Sequence, residues 1–332
     1  MRILFTVLVA AVLLPANMAR ADEHAEQKAV LITGATTGIG RVAAEHLAAS
    51  GYFVYAGARK QSDIDELNNI ENIQAVRLDV TIQDDIDAAV AHIRKEGRGL
   101  WGLVNNAGVN VVGPLIEFSD EDFDFLFDVN VRGVFSVTKA FAPLIIEAKG
   151  RIVNISSVSG IGTGQAYGPY SMTKHAIEAF TDALRRELEV TEVTVSAIEP
   201  GNYSSAIGLT RCKRMLAKAD AAASEYWAEM MKEHIDYCKE RISPDYESSA
   251  PEPVAVADAI EHALFSIEPK AKYLVTPSRR SAGWITWSLV RDLLDYNTGA
   301  EYGFSRDEIV EILDREIQYR ACDENAFDVF FD

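Results

Sequence analysis

Basic residues and cysteines are scarce in this sequence. Its 332 residues include 32 lysines and arginines against 50 aspartates and glutamates, for a net charge of −18. Such a surface repels phosphate backbones and anionic lipid headgroups, so we expect no nucleic-acid partner. The three cysteines, Cys212, Cys238 and Cys322, are widely spaced and form no C-x-x-C pair. We therefore expect neither a disulfide framework nor a zinc site, and no other metal site is predicted.

The chain also lacks a hydrophobic run long enough for a comfortable membrane span. The apolar stretch Ile3–Leu14 is shorter than the roughly 20 residues that cross a bilayer. It follows Arg2 and precedes the small-residue pattern Ala19–Ala21, so residues 1–21 are predicted to be a signal peptide or an N-terminal anchor. This leader predicts an exported, periplasmic or membrane-associated protein, whereas a translation start near Met18 predicts a cytoplasmic one.

No internal repeat, low-complexity tract or Gly/Ser-rich linker divides the chain, whose composition is typical of a globular protein. From Lys28 onward, short apolar runs alternate with longer helical stretches, which indicates a parallel sheet covered on both faces. We predict an α/β fold, a doubly wound, Rossmann-like parallel sheet, in a single domain over residues 28–276. Strands are predicted at Ala29–Thr33, Tyr52–Gly57, Ile73–Leu78, Leu100–Asn105, Arg151–Ser156, Val193–Ile198 and Tyr273–Thr276.

Two further segments are predicted around this domain. Residues from about 203 to 246, rich in methionine and aromatic side chains, are predicted to form a helical lid insertion. Residues 277–332 are predicted to be a C-terminal extension with an apolar helix over Trp284–Leu294. Because few lysines or arginines accompany that helix, we expect it to pack on the domain or on a second subunit, with membrane contact the less favoured alternative. A homo-oligomer, either a dimer or a tetramer, is expected.

A glycine-rich loop joins the first predicted strand to the first predicted helix, Gly38–Ser50. Glycines let the backbone approach a pyrophosphate closely, and a helix N-terminus offers N–H groups to the anion. The alternative is a tight turn that needs positive φ angles. The residues of this loop predicted to bind a nucleotide cofactor are Gly34, Thr36, Thr37, Gly38, Ile39 and Gly40.

The residues after the second and third strands favour NADP over NAD. No acid ends the second strand, and Arg59 follows it, where an arginine accommodates a 2′-phosphate. Two observations argue against NADP. The glycine loop has Thr37 and so offers no second basic residue, and Arg59 could simply belong to a solvated loop. Asp79 ends the third strand and is placed to accept a hydrogen bond from the adenine amine. Val80, the next residue, is also predicted to bind the cofactor.

Tyr170 and Lys174 are four residues apart, so on a helix they share one face. A free tyrosine has a pKa of about 10, and a neighbouring lysine cation is expected to lower it towards acid/base use. The alternative is an ordinary surface pair. Ser157 follows a strand end, where its hydroxyl can polarise a carbonyl. Asn130 interrupts an otherwise good helix predicted from Ser119 towards Lys149, which indicates a local role such as holding a water.

Together these residues resemble the short-chain dehydrogenase/reductase family, in family order and over about residues 28–276. The matching pieces are Thr33–Gly40, Asp79, Asn105–Gly108, Asn130, Ser157, Tyr170, Lys174 and Pro200-Gly201. The resemblance implies that Tyr170 is the acid/base, that Lys174 lowers its pKa and holds the nicotinamide ribose, and that Ser157 orients the carbonyl. It also implies that Asn130 completes a proton relay. The further residues it places beside the cofactor are Asn106, Ala107, Gly108, Pro200 and Gly201.

The stretch from Glu199 to Asn202 looks most like the branch that contains retinol, hydroxysteroid and 3-hydroxybutyrate dehydrogenases. The threonine that the family often has beyond Pro-Gly is missing, which leaves Ser204 or Ser205 to contact the nicotinamide amide. The resemblance implies oxidoreduction between an alcohol and a carbonyl with NADP or NAD. The apolar lid suits a retinoid-like or steroid-like substrate, whereas three bases, Arg211, Lys213 and Arg214, keep a small hydroxy acid open.

Two other functions remain open from the sequence. One is a dinucleotide-binding sensor or scaffold without turnover. The other keeps the fold and the cofactor but performs an epimerisation or a dehydration. Both predict no net change in nicotinamide absorbance, which separates them from a dehydrogenase.

Overall fold

The computed structural model describes residues 27–218, 224–299 and 303–320. The predicted leader, residues 1–21, lies outside these residues, as does Cys322. The chain divides into two compact units, Met1–Ala282 and Gly283–Asp332. The first unit contains the whole sheet.

The sheet has seven parallel strands in the order β3-β2-β1-β4-β5-β6-β7. The strands are β1 (Ala29–Ile32), β2 (Phe53–Ala58), β3 (Ile73–Arg77), β4 (Gly102–Asn105), β5 (Arg151–Ile155), β6 (Thr194–Pro200) and β7 (Lys272–Val275). The winding reverses between β1 and β4, and this point opens a crevice at the carboxyl ends of the strands. The predicted doubly wound sheet is therefore confirmed.

Nine helices accompany the sheet in the described part of the first unit. They are α1 (Gly38–Ala49), α2 (Gln61–Leu67), α3 (Gln83–Glu96), α4 (Asp120–Phe127), α5 (Gly133–Glu147), α6 (Gly168–Leu188), α7 (Ala206–Ala217), α8 (Ala228–Arg241) and α9 (Val254–Phe265). Sequence reasoning missed α2, which buries only Ile64 and Leu67, and α9, which starts directly after a proline-rich break.

Two apolar layers, one on each face of the sheet, form the core of this unit. On one face, Leu47 of α1 and Ile260 of α9 pack against strand residues such as Val30. On the other, Ile93 of α3 and Phe141 of α5 are completely buried. Burial on both faces explains why the strands are almost wholly apolar.

The long helix predicted from Ser119 is interrupted by a π-helical turn over Asp128–Arg132, between α4 and α5. Its start is as predicted, because the Ser119 hydroxyl accepts a hydrogen bond from the Asp122 N–H at 3.2 Å. Within the described residues, Asp120–Glu147 is the one helix whose length and mean hydropathy would allow it to cross a membrane. Half of its most apolar 18-residue stretch is buried inside the structure.

The expectation of no disulfide is wrong, because Cys212 on α7 and Cys238 on α8 are bonded, with Cα atoms 4.8 Å apart. The cysteines are 26 residues apart, and the packing of α7 on α8 brings them together. Sequence spacing cannot reveal such a pairing. Closing a loop of this length stabilises the folded state by about 3–4 kcal/mol, and here it fixes the two helices of the lid segment.

The second compact unit holds most of α10 (Arg279–Asn297) and all of α11 (Arg306–Arg320). The apolar segment Trp284–Leu294 lies within α10. Several of its large side chains are exposed, among them Trp287 and Leu289.

Candidate active site

In the glycine loop between β1 and α1, the backbone is packed so closely that Gly34 and Gly38 have no room for a side chain. Gly34 and Gly38 have φ angles of +64° and +56°, in the region that favours glycine. A Cβ on Gly34 would lie 2.9 Å from the Ala107 Cα. Thr37 precedes α1 without a side-chain cap, so the first-turn N–H groups of α1 keep their hydrogen-bonding capacity for an anion.

The loop is fixed to the end of β4 by a set of short hydrogen bonds. The Asn106 side-chain amide donates to the carbonyl oxygens of Thr33 and Gly34 at 2.9 and 3.0 Å. The Thr33 hydroxyl accepts from the N–H groups of Asn106 and Ala107, both at 3.0 Å. Behind them, Asn105 donates to Thr138 and to Asn154. The loop therefore fits a pyrophosphate, with a close glycine backbone and a helix N-terminus held in place.

Gly40→Ala is expected to lower the free energy of unfolding by about 1–3 kcal/mol and to weaken dinucleotide binding. A Cβ at this position would overlap the Asn106 amide and the Gly34 carbonyl, and would push the loop away from β4. Urea denaturation measures the stability, and quenching of protein fluorescence by NADPH measures binding. Gly164→Ala is the matched control, because a Cβ there meets no atom within 4 Å. Equal stability of the two variants would contradict this account of the loop.

Arg59 and Asp79 lie together at the ends of β2 and β3. The Arg59 Nη1 atom is 3.6 Å from the Asp79 Oδ2 atom, and the arginine side chain is 66% exposed. Burial works against ionisation of Asp79, but hydrogen bonds from Thr81 and the Arg59 charge outweigh it and hold the Asp79 pKa below its usual range. Thr81 occupies the Asp79 Oδ1 atom, so only the oxygen facing Arg59 remains for a ligand. Val80, the next predicted residue, is buried and packs against Gly133.

Tyr170 and Lys174 share one face of α6 and are both more than nine-tenths buried. The Lys174 Nζ atom donates to the Ile155 carbonyl oxygen at 2.8 Å and lies 5.8 Å from the centre of the Tyr170 ring. Ser157, two residues beyond the end of β5, lies close enough to Tyr170 for its hydroxyl to oppose the rise of the Tyr170 pKa. Its hydroxyl also accepts from the Ser159 N–H at 3.1 Å. The structure thus brings the three predicted side chains together where β5 ends.

Burial shifts the pKa values of both Tyr170 and Lys174. Burial raises the pKa of Tyr170 to about 12, opposed by the Ser157 hydrogen bond and the Arg211 charge. Burial also lowers the pKa of Lys174 to about 8. The Lys174 ammonium donates to the Ile155 carbonyl oxygen, and the lowering of the Tyr170 pKa by Lys174 stays a prediction.

Asn130 lies in the π-helical turn and is almost fully buried. Its Oδ1 atom accepts from the Val109 N–H at 2.8 Å, and its amide donates to the Val109 carbonyl and to the Thr173 hydroxyl. Both amide hydrogens are used, so a water relay through this residue would have to use its main-chain carbonyl. Gly108 lies close to both Asn130 and Lys174. A Cβ on Gly108 would lie 3.5 Å from the Asn130 Oδ1 atom and 3.9 Å from the Lys174 Nζ atom.

Pro200 is the last residue of β6, and the Gly201 N–H donates to the Val275 carbonyl at 2.8 Å. The chain then turns over the cofactor loop: a Cβ on Gly38 would lie 2.9 Å from the Ser205 Cβ. Ser205 therefore lies at the pyrophosphate end of the site. Ser204 donates its N–H to the Pro251 carbonyl.

Sequence reasoning missed a buried carboxyl pair next to the catalytic group. Glu178, one turn beyond Lys174 on α6, receives a hydrogen bond from Lys272 at 2.9 Å. Burial and the neighbouring Glu178 raise the pKa of Glu199 to about 7. The spacing of Glu178 from Lys174 is the one sequence signal that places this acid on the catalytic face.

The chain is similar to known dehydrogenases. A family model described as short chain dehydrogenase matches residues 28–216. The mitochondrial D-β-hydroxybutyrate dehydrogenase of Bos taurus is 37% identical over 264 residues, which cover 74% of this chain and 76% of that protein. Retinol dehydrogenase 16 of Homo sapiens is 34% identical over 274 residues, covering 79% of this chain and 82% of that protein.

A solved structure resembles the fold over most of its own length. The actinorhodin polyketide ketoreductase, a variant solved with NADPH, is 28% identical and gives a TM-score of 0.61. The superposition covers 76% of this chain and 96% of that one.

Proposed function

The chain belongs to the short-chain dehydrogenase family and is an oxidoreductase acting on CH–OH groups, and from this premise we propose that it interconverts an alcohol and a carbonyl compound with NADP. The observation that carries the proposal is the buried phenol of Tyr170, which lies close to Ser157 and shares one helix face with Lys174. Both lie at the carboxyl edge of the sheet, where the glycine loop is also found.

When bound, the nicotinamide supplies the hydride acceptor or donor. The Tyr170 phenol gives its proton to the carbonyl oxygen in reduction and takes the hydroxyl proton back in oxidation. Ser157 donates a hydrogen bond to the same oxygen and stabilises the negative charge that develops there. Lys174 would hold the nicotinamide ribose through its ammonium. The main-chain carbonyl of Asn130 would hold the water of a proton relay that leads away from this site.

Three groups of residues would each bind one part of the cofactor. Gly34, Thr36, Thr37 and the start of α1, Gly38–Gly40, would hold the pyrophosphate. Asn106–Gly108, with Pro200 and Gly201, would line the nicotinamide end. The largely exposed Arg59 would meet a 2′-phosphate, which favours NADP over NAD, and Asp79 would accept from the adenine amine. The NADPH bound to the similar ketoreductase supports this assignment.

Arg59→Ala is expected to raise the KM for NADP about 10–50-fold while changing the KM for NAD by less than about twofold. The arginine would lose a charge-assisted hydrogen bond to the 2′-phosphate, a group that NAD lacks. Steady-state kinetics with both cofactors measure the change. Arg94→Ala, which removes an exposed positive charge from α3, is the control. A parallel change in both KM values would overturn the role of Arg59.

A substrate screen that follows nicotinamide absorbance tests the proposed function. Secondary alcohols are offered with NADP⁺, and the corresponding ketones with NADPH. We expect oxidation or reduction of at least one pair at a rate proportional to enzyme. NADPH binding without any absorbance change across the panel would instead favour a sensor, an epimerase or a dehydratase.

We further infer that the chain forms a homo-oligomer, either a dimer or a tetramer, and that it works in an oxidising compartment. Phe135 of α5 is 52% exposed beside Phe180 of α6, which leaves an apolar face for a second copy. The Cys212–Cys238 disulfide supports export, because disulfides persist in oxidising compartments, and this agrees with the predicted leader.

A further inference from the structure

A buried cation without a carboxylate partner lies in the lid segment. Arg211 of α7 is only 9% exposed, and its Nε atom is buried without a hydrogen-bond partner. No carboxylate of the described ranges forms an ion pair with it. Burying an unpaired charge is costly, and in a protein of net charge −18 acids are abundant. Among the described residues no acid meets this guanidinium, which indicates a ligand anion.

The guanidinium of Arg211 lies beside the catalytic tyrosine. It donates to the Tyr167 hydroxyl, and Tyr167 precedes α6, the helix that carries Tyr170. The Arg211 charge acts on Tyr170 and on His234, which lies against the Tyr167 ring. Burial and the Arg211 charge lower the pKa of His234 below its usual value.

Aromatic rings and the disulfide hold Arg211 in place. Its guanidinium carbon is 5.6 Å from the ring centres of both Tyr167 and Tyr237. Its neighbour Cys212 is bonded to Cys238, the residue after Tyr237. The crosslink therefore fixes the arginine and one of its flanking rings to each other, as in a preorganised binding site.

The other two bases considered from the sequence do not share this setting. Arg214 forms an ion pair with Asp122 at 2.5 Å, and Lys213 is exposed. The cofactor is a poor source of the anion, because α7 starts beside Gly38 and Arg211 lies about 8 Å further along the helix axis. Arg211 instead contacts Tyr167, three residues before Tyr170.

We propose that Arg211 binds the carboxylate of the substrate, and hence that the enzyme acts on short hydroxy acids and their keto acids. This rests on the proposed function, since it places the substrate hydroxyl at Tyr170 and Ser157. The carboxylate receives the free Nε–H and an Nη hydrogen of the guanidinium in a bidentate pair. Arg211 sets specificity and takes no part in the proton transfer.

The test compares 2-, 3- and 4-hydroxy acids of four carbons with their methyl esters, for the wild type, Arg211→Met and Arg211→Lys. We expect the wild type to prefer at least one acid over its ester by about a hundredfold in kcat/KM. Arg211→Met should lose this preference through a higher KM for the acid, with the ester unchanged, and Arg211→Lys should recover part of it. Arg214→Met is the matched control on the same helix, and circular dichroism checks that each variant folds.

Calorimetric titration with butyrate separates this proposal from the proposed function. We expect butyrate to bind the wild type and Tyr170→Phe in the presence of NADPH, and to bind Arg211→Met at least about thirtyfold more weakly. Equal binding to all three, or equal loss of acid and ester turnover in Arg211→Met, would overturn the role of Arg211 and leave the dehydrogenase intact. Arg211-dependent butyrate binding without turnover of any alcohol would support the carboxylate site and contradict the proposed function.

Discussion

Tyr170→Phe is expected to lower kcat by about 10²–10⁴-fold, because it removes the one group placed to exchange a proton with the substrate oxygen. The variant loses a single oxygen atom, and its ring keeps the packing against Val111 and Leu126. NADPH binding and the melting temperature should therefore stay close to the wild-type values. Steady-state kinetics on the best substrate of the screen give kcat, and nicotinamide fluorescence gives the NADPH affinity.

Tyr52→Phe is the control for the loss of a phenol elsewhere in the same unit. Tyr52 stacks on Phe265 beside the amino end of β2, at the opposite edge of the sheet from the catalytic group. Its variant should turn over substrate at the wild-type rate. Comparable turnover in Tyr170→Phe and Tyr52→Phe would remove the acid/base role from Tyr170.

Lys174→Met is expected to lower kcat/KM by about 10²–10³-fold and to change the pH dependence of the reaction. Burial lowers the pKa of Lys174 to about 8, so the ammonium is charged below that pH and loses its proton above it. If the ammonium holds the ribose and favours proton release by Tyr170, the wild-type rate of reduction falls as the pH rises through about 8. The variant carries no charge to lose there, so its rate should be flat across this range.

Lys95→Met, at the exposed end of α3, is the control for the loss of a lysine. Removing Lys174 also leaves the Ile155 carbonyl without its donor, so the melting temperature is measured alongside. A loss of stability alone would reduce the amount of active protein and leave the shape of the pH profile unchanged. A Lys174→Met enzyme that keeps the break near pH 8 would show that another group causes it.

The sequence predicts the sheet and the shared helix face of Tyr170 and Lys174 well, because both depend on local patterns. Apolar strands alternating with helices specify the doubly wound topology, and the spacing of Tyr170 and Lys174 specifies one helix face. The glycine loop is equally local, since Gly34 and Gly38 adopt positive φ angles within a few residues of each other. The bounds of the predicted strands agree with β1 to β7 to within one or two residues at most ends.

Features that depend on tertiary contacts could not be predicted in this way. The pairing of Cys212 with Cys238 depends on how α7 packs on α8, and the raised pKa of Tyr170 depends on burial. The burial of Arg211 could not be predicted either, because the sequence shows Arg211 only as one of three neighbouring basic residues, with Lys213 and Arg214. Only the fold decides that Arg214 meets Asp122 while Arg211 lies buried without an acid.

The fate of the hydrogen on the carbinol carbon tests the central claim, oxidoreduction at the Tyr170 site, most directly. A substrate alcohol carrying deuterium at that carbon is oxidised with NADP⁺, and the products are examined by proton NMR. We predict one deuterium on the nicotinamide ring for each ketone formed, with none in Tyr170→Phe above the residual rate. Deuterium released to water or retained in an epimerised alcohol, with the nicotinamide unlabelled, would contradict the account.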